Sequence, residues 1–338
     1  MPELPDVTLY RERLQALLGG VVLTELRLLS PFLLRSVSPP PSAVHGLPLL
    51  AVERLGKRLV FEFPGELFVV LHLMIAGRLH WHARSRKLGS RIDLAAFDFA
   101  TGTLVLTEAA TKKRASLHVV QGRAGLAAFD RGGLEVHGAS RAQFRDALLR
   151  ENRTVKRALC DPTLFSGIGN AYSDEILHAA RLSPVVLTSR LHDDEVERLR
   201  IAIVATFDQW TGRLRAEVGD GFPEKVTAFR PGMAVHGRYG KPCPVPEPGA
   251  AHPLRGQRVQ LLHSLPVRRQ AAGRSRAVDA AEEGLAEDAR RARGTAAGRL
   301  IGLHQATTWR RARRDAAGRA GGGAAVRLWM QREPPRRR

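Results

Sequence analysis

Cysteine is scarce: Cys160 and Cys243 are the only two in 338 residues. They could form one bridge at most, so a disulfide-built scaffold of the secreted kind is excluded. No apolar run approaches the roughly 20 residues that a membrane-spanning helix needs. The start lacks a cationic stretch followed by an apolar one, so no secretory signal is read there. A cytoplasmic protein without membrane contact is the resulting expectation. Acidic residues are in deficit, 33 against 53 basic ones, for a net charge of +20. That imbalance favours a polyanionic partner such as nucleic acid. More than half of the excess lies after residue 242, so the preceding part is only moderately basic. The length is sufficient for two domains and a full core.

The seven residues Met1-Pro2-Glu3-Leu4-Pro5-Asp6-Val7 carry the most distinctive chemistry. Removal of Met1 would expose Pro2 as a secondary amine beside the carboxylate of Glu3. An α-amino group has a pKa near 8, so a useful fraction is unprotonated at neutral pH. Attack of such an amine on a sugar C1′ forms an iminium directly, which is covalent catalysis of the Schiff-base kind. The plainer reading makes Pro2 an ordinary second residue and Pro5 the opening of a helix.

Asp6 to Leu18 has helical spacing of Val7, Tyr10, Leu14, Leu17 and Leu18, stopped by Gly19-Gly20. From Val21 to about Val120 short β-branched or aromatic runs predict strands: Val21–Leu23, Arg58–Phe63, Leu67–Leu71, Leu94–Phe99 and Leu104–Thr107. Ser38–Ser42, with three prolines in a row, reads as a loop. Helical periodicity returns over Arg141–Leu149, Thr154–Leu159, Asn170–Ala180 and Asp193–Leu214. The chain is therefore read as α+β: a β-sandwich packed by a leading helix over 1–125, then a helical domain over 139–228. Between the second and third of these later helices, Pro162 breaks the chain. Gly167 and Gly169 permit a tight turn, and Asn170 is placed to cap the next helix. A helix N-terminus exposed by such a turn is an anion site.

Four segments together carry a resemblance. Pro2-Glu3-Leu4-Pro5, Gly56-Lys57-Arg58, Leu71-His72-Leu73-Met74 and Gly167-Ile168-Gly169-Asn170-Ala171-Tyr172-Ser173-Asp174-Glu175 occur in an order and at spacings similar to the Fpg/Nei family (formamidopyrimidine-DNA glycosylase and endonuclease VIII). The resemblance covers residues 1–242. It implies a bifunctional DNA glycosylase and AP lyase of base excision repair, acting as a monomer on damaged double-stranded DNA. Pro2 would be the nucleophile and Glu3 the general acid toward the sugar. Lys57 would reach the lesion nucleotide and its phosphate, although most turn lysines are simply solvated. Met74 would fill the gap left by an extruded base, against its other reading as a core methionine. Lys156, Gly169 and Asn170 would hold DNA phosphates through a helix-two-turns-helix element, and Arg238, in the segment 229–245 after it, would also bind DNA. Asp174 and Glu175 are read as structural.

Departures from the family pattern are equally informative. Asp6 stands where the family commonly has Glu, which keeps the charge but shortens the reach. Thr111-Lys112-Lys113-Arg114-Ala115-Ser116 occupies the place of a turn that usually supplies an aromatic wedge, and it holds no aromatic. Residues 229–245 resemble the lead-in to a four-cysteine zinc finger, with Cys243 as a remnant ligand. No cysteine follows it, and a tetrahedral site needs four N or S ligands. The expected zinc is therefore read as not bound by this chain, and the finger as lost. From Pro246 to Arg338 the tail is rich in Arg, Ala and Gly and reads as disordered or non-native. Synonymous codons for residues 251–265 can be chosen so that the neighbouring frame ends Cys-Thr-Pro-Cys, similar to the family finger. A frameshift at Val245 is the corresponding hypothesis, and a DNA-binding protein impaired in catalysis is the alternative function.

Overall fold

Pro5 and Asp6 suit the first turn of a helix, where a missing N–H and a negative charge are both favoured. A computed structural model describes residues 1–83 and 88–238, and the backbone alone of 249–254 and 257–262. In it α1 spans Leu4–Leu18, two residues earlier than the periodicity implied. Glu3 takes the N-cap position, and Asp6 Oδ2 accepts the Glu3 N–H at 2.9 Å, which moves the start back.

Nine strands follow: β1 (Val22–Leu28), β2 (Leu47–Pro48), β3 (Ala51–Leu55), β4 (Arg58–Phe63), β5 (Leu67–His72), β6 (Gly77–His82), β7 (Asp93–Phe99), β8 (Gly102–Glu108) and β9 (Ser116–Gln121). They form two antiparallel sheets, ordered β2-β1-β7-β8-β6 and β3-β4-β5-β9. The structure adds β2, β3, β6 and β9 to the strands expected from sequence. β3 and β6 alternate apolar residues with Glu, Arg and His, so their apolar content is too low to mark them. β7 and β8 sit inside their sheet and read as almost continuous apolar runs. Phe61 of β4 and Phe97 of β7 stack at 5.5 Å between centroids and join the two sheets. Val7, Tyr10, Leu14 and Leu18 of α1 close the same core.

A second core belongs to the helical part: α2 (Gly122–Ala127) leads into it, and α3 (Arg141–Leu149), α4 (Val155–Cys160), α5 (Asn170–Ala179) and α6 (Asp193–Val218) build it. Ser140 caps α3 by accepting from the Gln143 N–H at 3.2 Å, and Gln143 returns the bond to the Ser140 N–H at 2.9 Å. α6 runs beyond Leu214 and stops at Gly219, whose φ of 55° ends the helix. Leu4 belongs to this second core although the rest of α1 packs in the first. The first turn of α1 is thus the point where the two halves meet.

Within the tail, β10 (Gly249–Leu254) pairs antiparallel with β11 (Gln257–Leu262), Gly249 opposite Leu262 and Leu254 opposite Gln257. A two-stranded ladder of this kind is held by backbone groups and needs no aromatic or periodic side chains. Cys243, the frameshift hypothesis at Val245 and the remainder of the tail lie outside the described residues. No helix among the described residues is long and apolar enough to cross a membrane.

Leu71, the last residue but one of β5, is wholly buried. Leu71→Ala should lower stability by about 2–5 kcal/mol, read as a fall in the urea midpoint at unchanged slope.

Candidate active site

The site begins with the turn between α4 and α5. The Leu4 N–H donates to the Gly167 carbonyl at 3.0 Å, docking the first residue of α1 on that turn. A Cβ on Gly167 would lie 2.8 Å from Leu4 Cβ, and the φ of 78° there already favours glycine. Gly169 is required for a different reason. Its hypothetical Cβ would lie 2.5 Å from the Glu3 carboxylate and 2.8 Å from Lys57 Nζ. These two glycines therefore let the chain terminus, the β3–β4 turn and α5 converge.

Glu3 is buried, and its carboxylate receives the N-terminus of α5. It accepts from the N–H groups of Gly169 at 2.7 Å, Ala171 at 2.9 Å and Tyr172 at 3.2 Å. Gly169, rather than the expected Asn170, occupies the N-cap position, and Asn170 is the first residue of α5. The correction has a simple cause: a carboxylate from 166 residues away fills the role a local side chain would have taken. Burial pushes the Glu3 carboxyl above its ordinary range, with Lys57 and the N–H groups of Ala171 and Tyr172 pulling the other way. Burial raises Asp6 as well, opposed chiefly by Arg230, whose Nη2 donates to Asp6 Oδ1 at 2.7 Å.

Pro2 is buried directly before this clamp, and Met1 lies beside it, partly covered. Burial moves the Met1 amine below the usual α-amino range; Arg78 and Lys57 act in the same direction, Glu3 and Asp6 against it. Met1 faces a cavity of about 560 Å³ whose wall includes Arg54, Lys57, Arg58, His72, Arg131 and Cys160. Lys57 sits in the two-residue turn between β3 and β4, opened by Gly56 at φ 61°. Burial lowers its pKa, and Glu3 raises it. Burial, then Arg58, Lys57 and His118, push His72 down to about 4, so its imidazole is neutral at pH 7.

Pro2, Glu3, Asp6, Lys57 and Gly169 are thus brought together. Asn170 adjoins them, and its Oδ1 is buried without a hydrogen-bond partner among the described residues. Met74 lies after β5, half-buried, with φ 53°. Lys156, expected on a phosphate-facing surface, is instead buried and paired with Asp174. The cause is Asp174 itself, a buried carboxylate on α5 that also meets His236 Nδ1 at 2.8 Å. Arg238 is half-buried, its N–H donating to the Val235 carbonyl at 3.0 Å. Cys160 donates to Ser173 Oγ at 3.3 Å. Among the described residues no group of three or more His, Cys, Asp or Glu could hold a metal.

The partners of several residues were not visible from sequence. Arg230 occurs in a stretch read only as the lead-in to a finger. Its guanidinium is buried against Asp6, with Glu217 Oε2 at 3.7 Å. Glu175 accepts the N–H groups of Ala234, Val235 and His236 at 2.7–2.9 Å and so fixes that same lead-in on α5. Arg54 bonds Glu135 at 2.6 Å across the cavity rim. The available signal was a charged residue in an otherwise turn-rich segment, which is too common to identify a partner.

Residues 1–116 match the model of the formamidopyrimidine-DNA glycosylase N-terminal domain, and residues 136–210 match that of the formamidopyrimidine-DNA glycosylase H2TH domain. A formamidopyrimidine-DNA glycosylase of Pelotomaculum thermopropionicum is 30% identical over 251 residues, covering 72% of this chain and 91% of that protein. One from Desulfitobacterium hafniense is 28% identical with the same coverage. The crystal structure of the MutM (Fpg) protein of Thermus thermophilus is similar at TM-score 0.64 and 27% identity, over 77% of this chain and 97% of that one. That of Lactococcus lactis formamidopyrimidine-DNA glycosylase bound non-covalently to AP-site DNA shares the fold at TM-score 0.67 and 21% identity, over 79% and 99%.

Gly169→Ala should cost about 1–3 kcal/mol by overpacking against Glu3, measurable as a lower urea midpoint. His72 makes a separate prediction. Its folded pKa is depressed, so the unfolded chain binds the extra proton between about pH 6.5 and about pH 4. Its contribution to stability is present above that window and is lost as the pH falls through it. His72→Gln should flatten the fall in urea midpoint over that range.

Proposed function

The chain belongs to the formamidopyrimidine-DNA glycosylase family, and from that premise we propose a bifunctional DNA glycosylase and AP lyase that removes oxidised bases from double-stranded DNA. The observation that carries the reading is the clamp at the chain start. Met1 lines a cation-rich cavity, Pro2 is buried next to it in the chain, and Glu3 is fixed by three N–H groups at the N-terminus of α5.

With Met1 removed, the terminal amine would be that of Pro2, a buried residue directly before Glu3. An unprotonated secondary amine at neutral pH is the nucleophile this chemistry needs. It attacks C1′ of the damaged nucleotide and the C1′–N bond to the base breaks, the base leaving with the proton that the amine gives up; protonation of the ring oxygen then opens the sugar and leaves the iminium. Glu3, with its pKa raised by burial, is suited to deliver a proton to the ring oxygen as general acid. The iminium acidifies C2′; loss of that proton eliminates the 3′ phosphate, and a second elimination releases the 5′ phosphate. Lys57 stands over Glu3 with a cationic side chain for the lesion phosphate. Asp6 holds the Glu3 backbone N–H, so it orients rather than reacts. Met74 would fill the space vacated by the extruded base, and Asn170 and the turn at Gly169 would hold the backbone.

Lys156 enters this proposal as a support of α5 through Asp174, and Arg238 as a phosphate contact beside the finger lead-in. The family's zinc does not fit this chain's donors. Cys160 is committed to the helical core, which leaves Cys243 as the single remaining cysteine. No step here runs through zinc. The same shortage favours the second reading, a DNA-binding protein with impaired catalysis.

Borohydride trapping separates the two. Protein with Met1 removed, mixed with a duplex carrying an abasic site, should form a covalent adduct that Pro2→Gly abolishes. Binding of that duplex without any adduct would establish the impaired binder instead.

A further inference from the structure

The loop Thr111–Ser116 has no aromatic residue, yet it is held firmly. Buried Glu108 accepts the N–H groups of Arg114 at 2.9 Å and Ala115 at 3.1 Å. Lys112 and Arg114 are left exposed by that anchorage. The next segment in space is neither 1–10 nor any helix but residues 33–35. Leu34 bridges Leu117 in parallel, the Leu117 N–H donates to the Leu33 carbonyl, and the Arg35 N–H donates to the Leu117 carbonyl, both at 2.9 Å.

The register fixes what shares this end of the sheet. Arg58 of β4 faces His72 of β5, and His72 faces Ser116 of β9. The turn with Lys57, the turn with Met74 and Ile75, the loop with Lys112 and Arg114, and the approach to Leu33 therefore emerge side by side. Because 33–35 runs parallel to β9, Phe32 lies at the same end as Ala115. Adjacent strands are roughly 4.8 Å apart, so Phe32 stands roughly 10 Å along the row from the Met74 turn. That span corresponds to about three base steps of a DNA strand.

Phe32 is 74% exposed, and Ile75 is 53% exposed. Leu33, its neighbour, is buried in the sandwich core, which pins the loop under the exposed ring. The row thus runs from a cation through an apolar tip and two more cations to an aromatic ring at its end, while Arg35 lies back along the Phe32 segment beside Leu117. Cations that follow a phosphate backbone, next to an aromatic face, are the elements that bind unstacked bases.

We infer that Phe32 is a stacking platform for a base of bound DNA that has lost its partner, such as the base opposite an abasic site. This supplies an aromatic contact to the cleft from the loop after β1, where the Thr111–Ser116 loop has none. The inference rests on the DNA glycosylase reading for its partner, and it assigns to a residue outside the clamp the recognition of the opposite strand.

The test compares wild type, Phe32→Ala, Phe32→Trp, Lys112→Ala and Val37→Ala, an exposed residue outside the row, for binding to two labelled duplexes by anisotropy. One duplex is intact; the other carries a tetrahydrofuran abasic analogue. Phe32→Ala should weaken binding to the abasic duplex roughly tenfold and to the intact duplex less than about twofold, with the salt dependence unchanged. Lys112→Ala should weaken both alike and reduce the salt slope by about one. Phe32→Trp should keep the preference, and its indole emission should be quenched by the abasic duplex. Val37→Ala should bind as wild type. Equal binding by wild type and Phe32→Ala, equal loss on both duplexes, or no abasic preference in wild type would each overturn the platform. Urea midpoints check that every variant is folded. Borohydride trapping by wild type runs alongside: trapping with no Phe32 effect sinks the platform alone, and a Phe32 effect without trapping sinks the lyase reading alone.

Discussion

The Glu3 carboxylate is the interaction on which the remaining structure depends. An ionised carboxylate is costly to bury unless its oxygens are satisfied. Here the N-terminus of α5 satisfies them with three N–H groups that the helix could not pair internally. Each side solves the other's problem. The bond set also spans 166–169 residues, so it is a tertiary clasp between the sandwich and the helical domain. Positioning the acid and holding the two cores together are the same physical act. The glycine at 169 follows from it, because any side chain would occupy the carboxylate's place.

A second layer of charges ties the chain after α6 to this clasp. Arg230 meets Asp6, Asp174 meets both Lys156 and His236, and Glu175 collects three backbone N–H groups of 234–236. All of these carboxylates are buried, where an unpaired member would be severely destabilising. The cavity beside them is rich in Arg and Lys. One acid–base pair, Arg54 with Glu135, lies in its lining.

Local chemistry made much of this visible in the sequence. The helix after Pro5, the apolar runs of β4, β5, β7 and β8, and the Gly-Ile-Gly turn all carry local signals. Strands β3 and β6 did not, because each buries little and alternates with charge. The distant cap defeated local reasoning more instructively. Asn170 is a good N-cap by type, but no property of residues 167–172 indicates that a carboxylate from residue 3 has arrived first. Lys156 misled for the related reason that a lone lysine reads as exposed until its partner 18 positions away is known. Arg230 was hidden for the same reason, at 224 positions.

That last pair resolves the question raised by Asp6. A carboxylate one methylene shorter than glutamate reaches less far from α1. Arg230 compensates from the other side: its guanidinium crosses to Asp6 Oδ1 at 2.7 Å while Oδ2 keeps the Glu3 N–H at 2.9 Å. The short acid is therefore used fully, one oxygen for the Glu3 backbone and one for the segment that follows α6. Met233 and Val235 are buried beside this link, and Glu175 fixes the turn they belong to. Every one of these groups precedes residue 239. The clamp around Pro2 and Glu3 thus draws its order from contacts that need no cysteine and no finger. Loss of a finger would bear on the grip of DNA before it bore on the shape of this clamp.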